Sequence, residues 1–565
     1  MSAPNNIEIN STTHRSPSCY NTSHLLLSFI FNLINISGNG EFTGQNSIEK
    51  AKKRGTKRSW RLKQKLKLTW KSIKIRVRSH LPAFLSSKKR LTHVKSRNQE
   101  LAQMARKICK VSNDSTKSLA FLLQLPKYSA MDFLDRGDLM TPAASPRENI
   151  SKMWRELHGS ENWENILDPL HPWLRREITK YGEFVESIYD SLDFDPLSEF
   201  CGSCRYNRNK LFEELGLTRH GYKVTKYIYA MSHVNVPQWF LSSSLGETWS
   251  KDSNWMGFVA VSGDRESLRI GRRDIVVAWR GTVTPTEWFM DLRTSKEPFD
   301  CEGEHGKNVV KVQSGFFSIY NSKSELTRYN KESASEQTME EVKRLVKFFK
   351  DRGEEVSLTI TGHSLGGALA LMNACEAARD VPELSGNVSV ISFGAPRVGN
   401  LAFKERLNSL GVKVLRVVNK QDIVPKLPGI VFNKVLNKLN PITSKLNWVY
   451  RHVGTQLKLD VFSSPYVKRD SDLAGSHNLE VYLHVLDGFH RKKSGFRVNA
   501  RRDVASVNKS TDMLLDHLRI PECWYQVAHK GLILNKQTGR WVKPVRAPED
   551  IPSPLSTGPK PIYSS

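Results

Sequence analysis

Apolar positions recur every three to four residues along some stretches of this chain and run unbroken along others, and the two patterns alternate. Trp173, Ile178, Tyr181, Phe184, Val185, Ile188 and Tyr189 fall on one face of a helix predicted over 173–193. Met339, Val342, Leu345, Val346 and Phe349 line a second helix over 338–350. Short apolar runs rich in β-branched residues lie at 258–262 (F-V-A-V-S), 275–279 (I-V-V-A-W), 356–361, 388–393 and 412–418. The polar stretch 263–273 joins the first two of these. Strands that are apolar on both faces must be covered on both faces. Alternation with helices therefore predicts an α/β fold, its mostly parallel central sheet flanked by helices. No internal repeat is evident.

The sharpest local feature is G-H-S-L-G at 362–366, continued by G-A-L-A-L. It falls between the predicted strand 356–361 and a helix over 367–378, where a tight turn would lift the Ser364 hydroxyl clear of the backbone. Gly362 and Gly366 supply the small residues that such a turn needs two positions before and after the serine. The amides of the helix N-terminus favour developing negative charge there. A serine nucleophile needs a base, and the base needs an orienting carboxylate. Asp422 follows the strand V-L-R-V-V-N in a loop stiffened by Pro425 and Pro428, which suits a carboxylate that must be held still. Two histidines compete as base. His477 opens a helix after a loop, and His484, seven residues on, shares nearly the same helical face. His452 reads as a structural residue beside a strand.

An oxyanion needs two donors. The amide of Leu365, next after the serine, is one candidate; the turn Arg280-Gly281-Thr282 that closes I-V-V-A-W offers the other. Beyond it, Trp288, Phe289 and Met290 stand together, either in a short core helix or in a lid whose apolar side chains cover the site in water and meet lipid at an interface.

Length and charge refine the domain picture. The chain has 565 residues, 39% of them apolar, enough for a large core and too many for a disordered or fibrous protein. Its net charge of +28 first suggests a polyanion as partner, but the charge is segregated. Residues 51–110 hold 21 basic residues against Glu100 alone, and residues 1–50 carry a net −1, which leaves +9 for the remaining 455. Basic, hydroxylated and nearly acid-free composition marks an organelle transit peptide, plastid or mitochondrial. The alternatives are a secretory signal built on 25–36 and a retained basic tail. Expected boundaries are a leader over 1–115, a linker region over 116–165, a catalytic domain over 166–545 and a tail over 546–565. Leu62, Leu66, Trp70, Ile73 and Val77 would give the leader an amphipathic face suited to an anionic membrane surface. No apolar run is long enough to span a bilayer. The seven cysteines are odd in number and sparse; Cys201 and Cys204 form a lone C-G-S-C, read as a loop or a local redox pair. No metal-ligand, dinucleotide, P-loop or EF-hand motif appears, so neither metal nor organic cofactor is expected.

Taken in order, these motifs resemble the fungal-type (class 3) lipases, and more narrowly the plant class I phospholipase A1 group, typically plastid acylhydrolases. The resemblance runs over 167–545. It is carried by L-D-P-L-H-P-W-L-R-R-E-I at 167–178, W-M-G-F-V-A-V-S at 255–262, G-R-R-D-I-V-V-A-W-R-G-T at 271–282 and T-G-H-S-L-G-G-A-L-A at 361–370. It continues through F-G-A-P-R-V-G-N at 393–400, D-I-V-P-K-L-P-G at 422–429 and H-N-L-E-V-Y-L-H at 477–484. The resemblance implies an α/β-hydrolase fold with Ser364 as nucleophile, Asp422 as acid and His477 as base, and Thr282 and Leu365 as oxyanion donors. It implies hydrolysis of the sn-1 acyl ester of phospholipids, galactolipids or both. The expected partners are that glycerolipid, a membrane surface met peripherally, and the import machinery that reads the leader; nucleic acid is not expected. Chloroplast is the expected compartment, with mitochondrion or secretion as alternatives. The competing functions are a neutral triacylglycerol lipase and, from another class, a non-catalytic membrane- or nucleic-acid-binding protein acting through 51–110.

Overall fold

Period-two alternation within each apolar run decides which side chains face which layer. Along the strand Arg273–Trp279, Ile275, Val277 and Trp279 enter one buried cluster, while Val276 and Ala278 enter another. A central sheet thus separates two cores. The computed structural model describes residues 148–552 apart from 196–197, 232–252, 283–294, 300–308, 429–448, 470–474, 493, 498–499, 526–532 and 543–544. The described residues belong to the unit Met140–Ser565.

The sheet has seven strands whose spatial order is their chain order: β1 (Tyr222–Ala230), β2 (Asn254–Ser262), β3 (Arg273–Trp279), β4 (Val356–His363), β5 (Val388–Phe393), β6 (Lys413–Asn419) and β7 (Thr455–Leu459). The first two pairings are antiparallel and the four from β3 to β7 are parallel, in agreement with the predicted mostly parallel sheet. One face carries α3 (Ala334–Lys350) and α4 (Leu365–Asp380); the other carries α1 (Pro172–Ser191) and α6 (Leu479–Gly488). Between β2 and β3 the polar stretch folds as α2 (Asp264–Ile270), closed by Gly271 at a φ of 79°. α5 (Leu401–Ser409) follows β5, its N-terminus capped by the Asn400 side chain.

The sequence pattern predicts neither α2 nor α5, and three further elements differ from expectation. β1 is unpredicted: Lys223 and Lys226 break its apolar run, and as an edge strand it buries its residues unevenly. α3 begins four residues before its first predicted turn, because Ser333 and Glu336 form a reciprocal capping box. β2 begins at Asn254, four residues early. Residues assigned from sequence to a linker also enter the second core, where Ile150, Leu157 and Trp163 are buried.

Candidate active site

Parallel strands in register end together, so the loops that leave them meet. Trp279 pairs with Gly362, His363 with Phe393, and Phe393 with Val417. At this edge Ser364 joins β4 to α4 with φ 59° and ψ −125°, a left-handed conformation that costs a non-glycine residue energy. Its amide donates to Phe393 O at 2.9 Å, which ties the turn to the neighbouring strand end. The flanking glycines have a steric cause. A Cβ at Gly362 would lie 2.2 Å from Gly366 O, and one at Gly366 would lie 2.3 Å from Trp279 O. Both obstacles are backbone, which cannot swing aside.

Asp422 follows β6, fully buried. Its carboxylate accepts from Val424 N at 2.8 Å, Tyr482 Oη at 2.6 Å and His477 Nδ1 at 2.7 Å. His477 ends the turn Gly475–His477 that leads into α6, where the Asn478 side chain caps the helix. Gly394, at the end of β5, marks how closely these loops converge. A Cβ there would stand 3.0 Å from Asp422 Oδ2 and 3.1 Å from His477 Cε1. Ser364, Asp422 and His477, 113 residues apart from first to last, thus come to one strand edge.

Gly281 and Thr282 leave β3 at the same edge. A Cβ on Gly281 would fall 2.8 Å from Ser364 Cβ, so only glycine lets this loop lie against the serine. Among the described residues, the buried Ser364 Oγ and Thr282 Oγ1 make no hydrogen bond. Buried hydroxyls are nearly always paired. The Ser364 and Thr282 hydroxyls are two exceptions at this strand edge. Leu365 opens α4 directly beside them.

Comparison with known proteins identifies the family. The family described as Lipase (class 3) matches residues 276–432, which hold β3, the Ser364 turn and Asp422. Phospholipase A1-Igamma1, chloroplastic, of Arabidopsis thaliana is 45% identical over 421 residues, covering 72% of this chain and 81% of its own. Phospholipase A1 EG1, chloroplastic/mitochondrial, of Oryza sativa subsp. indica is 42% identical over 62% of this chain and 78% of its own.

This chain belongs to the class 3 lipases.

It is a carboxylic ester hydrolase, and further contacts at this strand edge involve residues that the sequence motifs alone leave unassigned. His363, the second residue of G-H-S-L-G, is buried, and burial holds its pKa well below the ordinary histidine value. Its Nε2 lies 2.8 Å from His477 O, and a carbonyl can only accept, so Nε2 carries the proton. Nδ1 then accepts from Tyr189 Oη at 2.8 Å, and that same oxygen accepts from Gly281 N at 2.7 Å. One chain of hydrogen bonds therefore runs from the Gly281–Thr282 loop to the backbone of His477. The His363 and His477 rings also pack, with centroids 4.7 Å apart. Tyr189 shows in the sequence only as one more apolar position on α1, and Tyr482 only as part of H-N-L-E-V-Y-L-H.

The competing histidines sit elsewhere. His484 is hydrogen bonded to Ser464 Oγ at 2.9 Å and stacked on Phe496, and burial lowers its pKa to about 4. His452 donates to Pro425 O at 2.8 Å and so buttresses the loop after Asp422. Trp288, Phe289 and Met290 lie outside the described residues, as do the leader and Cys19, Cys109 and Cys301. Cys201 and Cys204 are free thiols, both pushed up to about 11, chiefly by burial. Among the described residues, no group of acidic, histidine or cysteine side chains could hold a metal ion, and no helix is long and apolar enough to cross a membrane.

Proposed function

We propose that this lipase hydrolyses the sn-1 acyl ester of glycerolipids (phospholipids, galactolipids or both), with Ser364 as nucleophile, His477 as base and Asp422 as its orienting acid. The observation that carries the assignment is the buried His477–Asp422 pair at 2.7 Å, beside a strained serine whose hydroxyl has no partner among the described residues. With Nδ1 donating to Asp422, Nε2 is the nitrogen that takes the Ser364 proton as Oγ bonds to the ester carbon. The charge that develops on the carbonyl oxygen is met by the Leu365 amide and by Thr282. One such donor is worth about 3–4 kcal/mol in the transition state. His477 passes its proton to the departing lysolipid oxygen as the ester bond breaks. A water then gives His477 a proton as it attacks the acyl-enzyme, and His477 passes that proton to Ser364 Oγ as the acyl bond breaks and the fatty acid leaves.

The substrate class is supported by relatives named phospholipase A1, and a plastid address by their chloroplastic names together with the acid-poor leader over 1–115. The catalytic domain in this reading spans 166–545 together with the preceding residues from Ile150, which pack into its second core. Ser364→Ala should abolish fatty-acid release while the protein stays folded. Undiminished hydrolysis by that variant would overturn the nucleophile. Product analysis with phosphatidylcholine, monogalactosyl diacylglycerol and triacylglycerol, each labelled at sn-1, assigns the substrate. Exclusive turnover of triacylglycerol would make the chain a neutral lipase instead.

A further inference from the structure

Most large apolar side chains of this unit are buried, and the exposed exceptions concentrate near the C-terminus. Strands Ile533–Asn535 and Arg540–Val542 form an isolated two-stranded ribbon in which Leu534 lies directly opposite Trp541. Residues opposite each other share a face, so these two make one apolar patch. Leu534 is 47% exposed, Trp541 64% and Val545 90%; Val542 is partly exposed as well. A two-stranded ribbon has no second layer in which to bury such residues and is marginal in water by itself. Its turn is nevertheless well made: the Asn535 side chain accepts from Gln537 N and Thr538 N, and Gly539 takes a φ of 65°.

Two further observations say what the patch meets. The first is charge. From 523 to 547 the chain has five basic residues, Lys530, Lys536, Arg540, Lys543 and Arg546, and no Asp or Glu. Lys536 stands in the turn, and Arg540, adjacent to Trp541 along its strand, falls on the face opposite the patch. The cations thus flank the apolar side chains, and an anionic surface would meet a stretch of this one sign favourably. The second is position. Both legs of the ribbon are rooted at the C-terminal end of α1. Tyr525 Oη donates to Asp190 O at 3.2 Å, and Arg546 is held by Asp193 at 2.8 Å and by Cys204 O at 3.0 Å. Tyr189, whose hydroxyl reaches Gly281 and His363, precedes the first of these anchors by one residue. Arg546 comes only four positions after Val542, a reach of at most about 14 Å. The patch is therefore tethered at the site end of the sheet.

We propose that this ribbon is the surface by which the lipase settles on an anionic lipid bilayer. Leu534, Trp541 and Val545 enter the interfacial layer, where tryptophan is favoured, while Lys536 in the turn and Arg540 on the other face of the ribbon draw it towards the headgroup phosphates. The assignment rests on the acylhydrolase reading above, since it brings ester-bearing lipid to the end of the sheet where Ser364 stands.

Vesicle flotation tests it with the full chain and does not depend on hydrolysis. On phosphatidylglycerol/phosphatidylcholine vesicles, Leu534→Ser/Trp541→Ser and, separately, Lys536→Glu/Arg540→Glu should each bind at least tenfold more weakly than the unaltered chain. On phosphatidylcholine alone at raised salt, where the cations of the leader are screened, the apolar pair should still lose at least tenfold. Leu326→Ser, at another exposed leucine, should lose nothing. Val545→Ser provides a second, milder apolar variant. Binding unchanged in the apolar variants would overturn the proposal. So would a sedimentation shift in the variants without a change in vesicle binding, which would make the ribbon a contact between copies. If vesicle binding depends on the ribbon but no acyl chain is ever released, the acylhydrolase reading fails and the docking surface stands. Equal release from vesicles by the chain and its apolar variants would have the reverse meaning.

Discussion

At Ser364 a side chain, a strained backbone and two flanking glycines act together, and each can be read from neighbours a few positions away. The base is different, because two histidines seven residues apart satisfy the same local pattern in the sequence. The contacts of Asp422 separate them: His477 donates to it, while His484 packs against Ser464 and Phe496. His477→Ala should therefore lower kcat by several orders of magnitude. His484→Ala should leave kcat within a fewfold and lower the unfolding midpoint instead, as steady-state rates on a soluble ester and urea titration would show. Tyr189 and His363 form a link that no motif announces. Tyr189→Phe keeps the ring and removes the hydroxyl, so Gly281 N loses its acceptor and His363 Nδ1 its donor. Each buried group left unpaired costs about 1–3 kcal/mol. If the link positions the oxyanion loop and the base, kcat falls about tenfold or more with KM little changed. A stability loss at constant kcat would show a purely structural role.

Elements follow local rules where one residue sets the boundary and depart from sequence reading where the boundary is cooperative. The apolar spacing of α3 begins at Thr338, yet the helix begins at Ala334, because the Ser333 hydroxyl and the Glu336 carboxylate satisfy amides on both sides of that start. Ser333→Ala should cost about 1 kcal/mol, measured as a lower urea midpoint with unchanged activity. α6 begins two residues after His477, and it fixes where His477 and Tyr482 stand. A buried network holds it to α1: Glu480 pairs with Arg502, Arg502 reaches Glu183 at 2.9 Å, and Lys509 bridges Glu480, Glu186 and Asp190. The helix that presents Tyr189 is thus locked to the helix that follows His477. Periodicity shows both helices and says nothing of their pairing.

Over the whole molecule, burial sets the response to acid. His158 and His452 are each lowered to about 3 and His484 to about 4, in every case mainly by desolvation. Their folded values lie below the unfolded value near 6.5, so the unfolded chain binds more protons as pH falls. The stability these neutral rings provide is complete above about pH 6.5 and is lost progressively toward pH 4. With each unit of difference worth about 1.4 kcal/mol, unfolding titrations should show a loss of several kcal/mol across that window, and a flat profile would contradict the burial of these rings. The +28 of the chain takes its place at this scale too, since +20 of it sits in 51–110 and the C-terminal ribbon carries its own cluster of cations. What the sequence by itself determined are features written in neighbouring residues: the strand–turn–helix around Ser364, the loop that offers Asp422, the alternation that makes a parallel sheet, and the family those motifs share. Only the tertiary structure decided which histidine meets Asp422, how Tyr189 joins the Gly281 loop to His477, and that an apolar ribbon is rooted at the site end of α1. Those facts depend on contacts between residues far apart in the chain, and sheet register and helix packing bring them together.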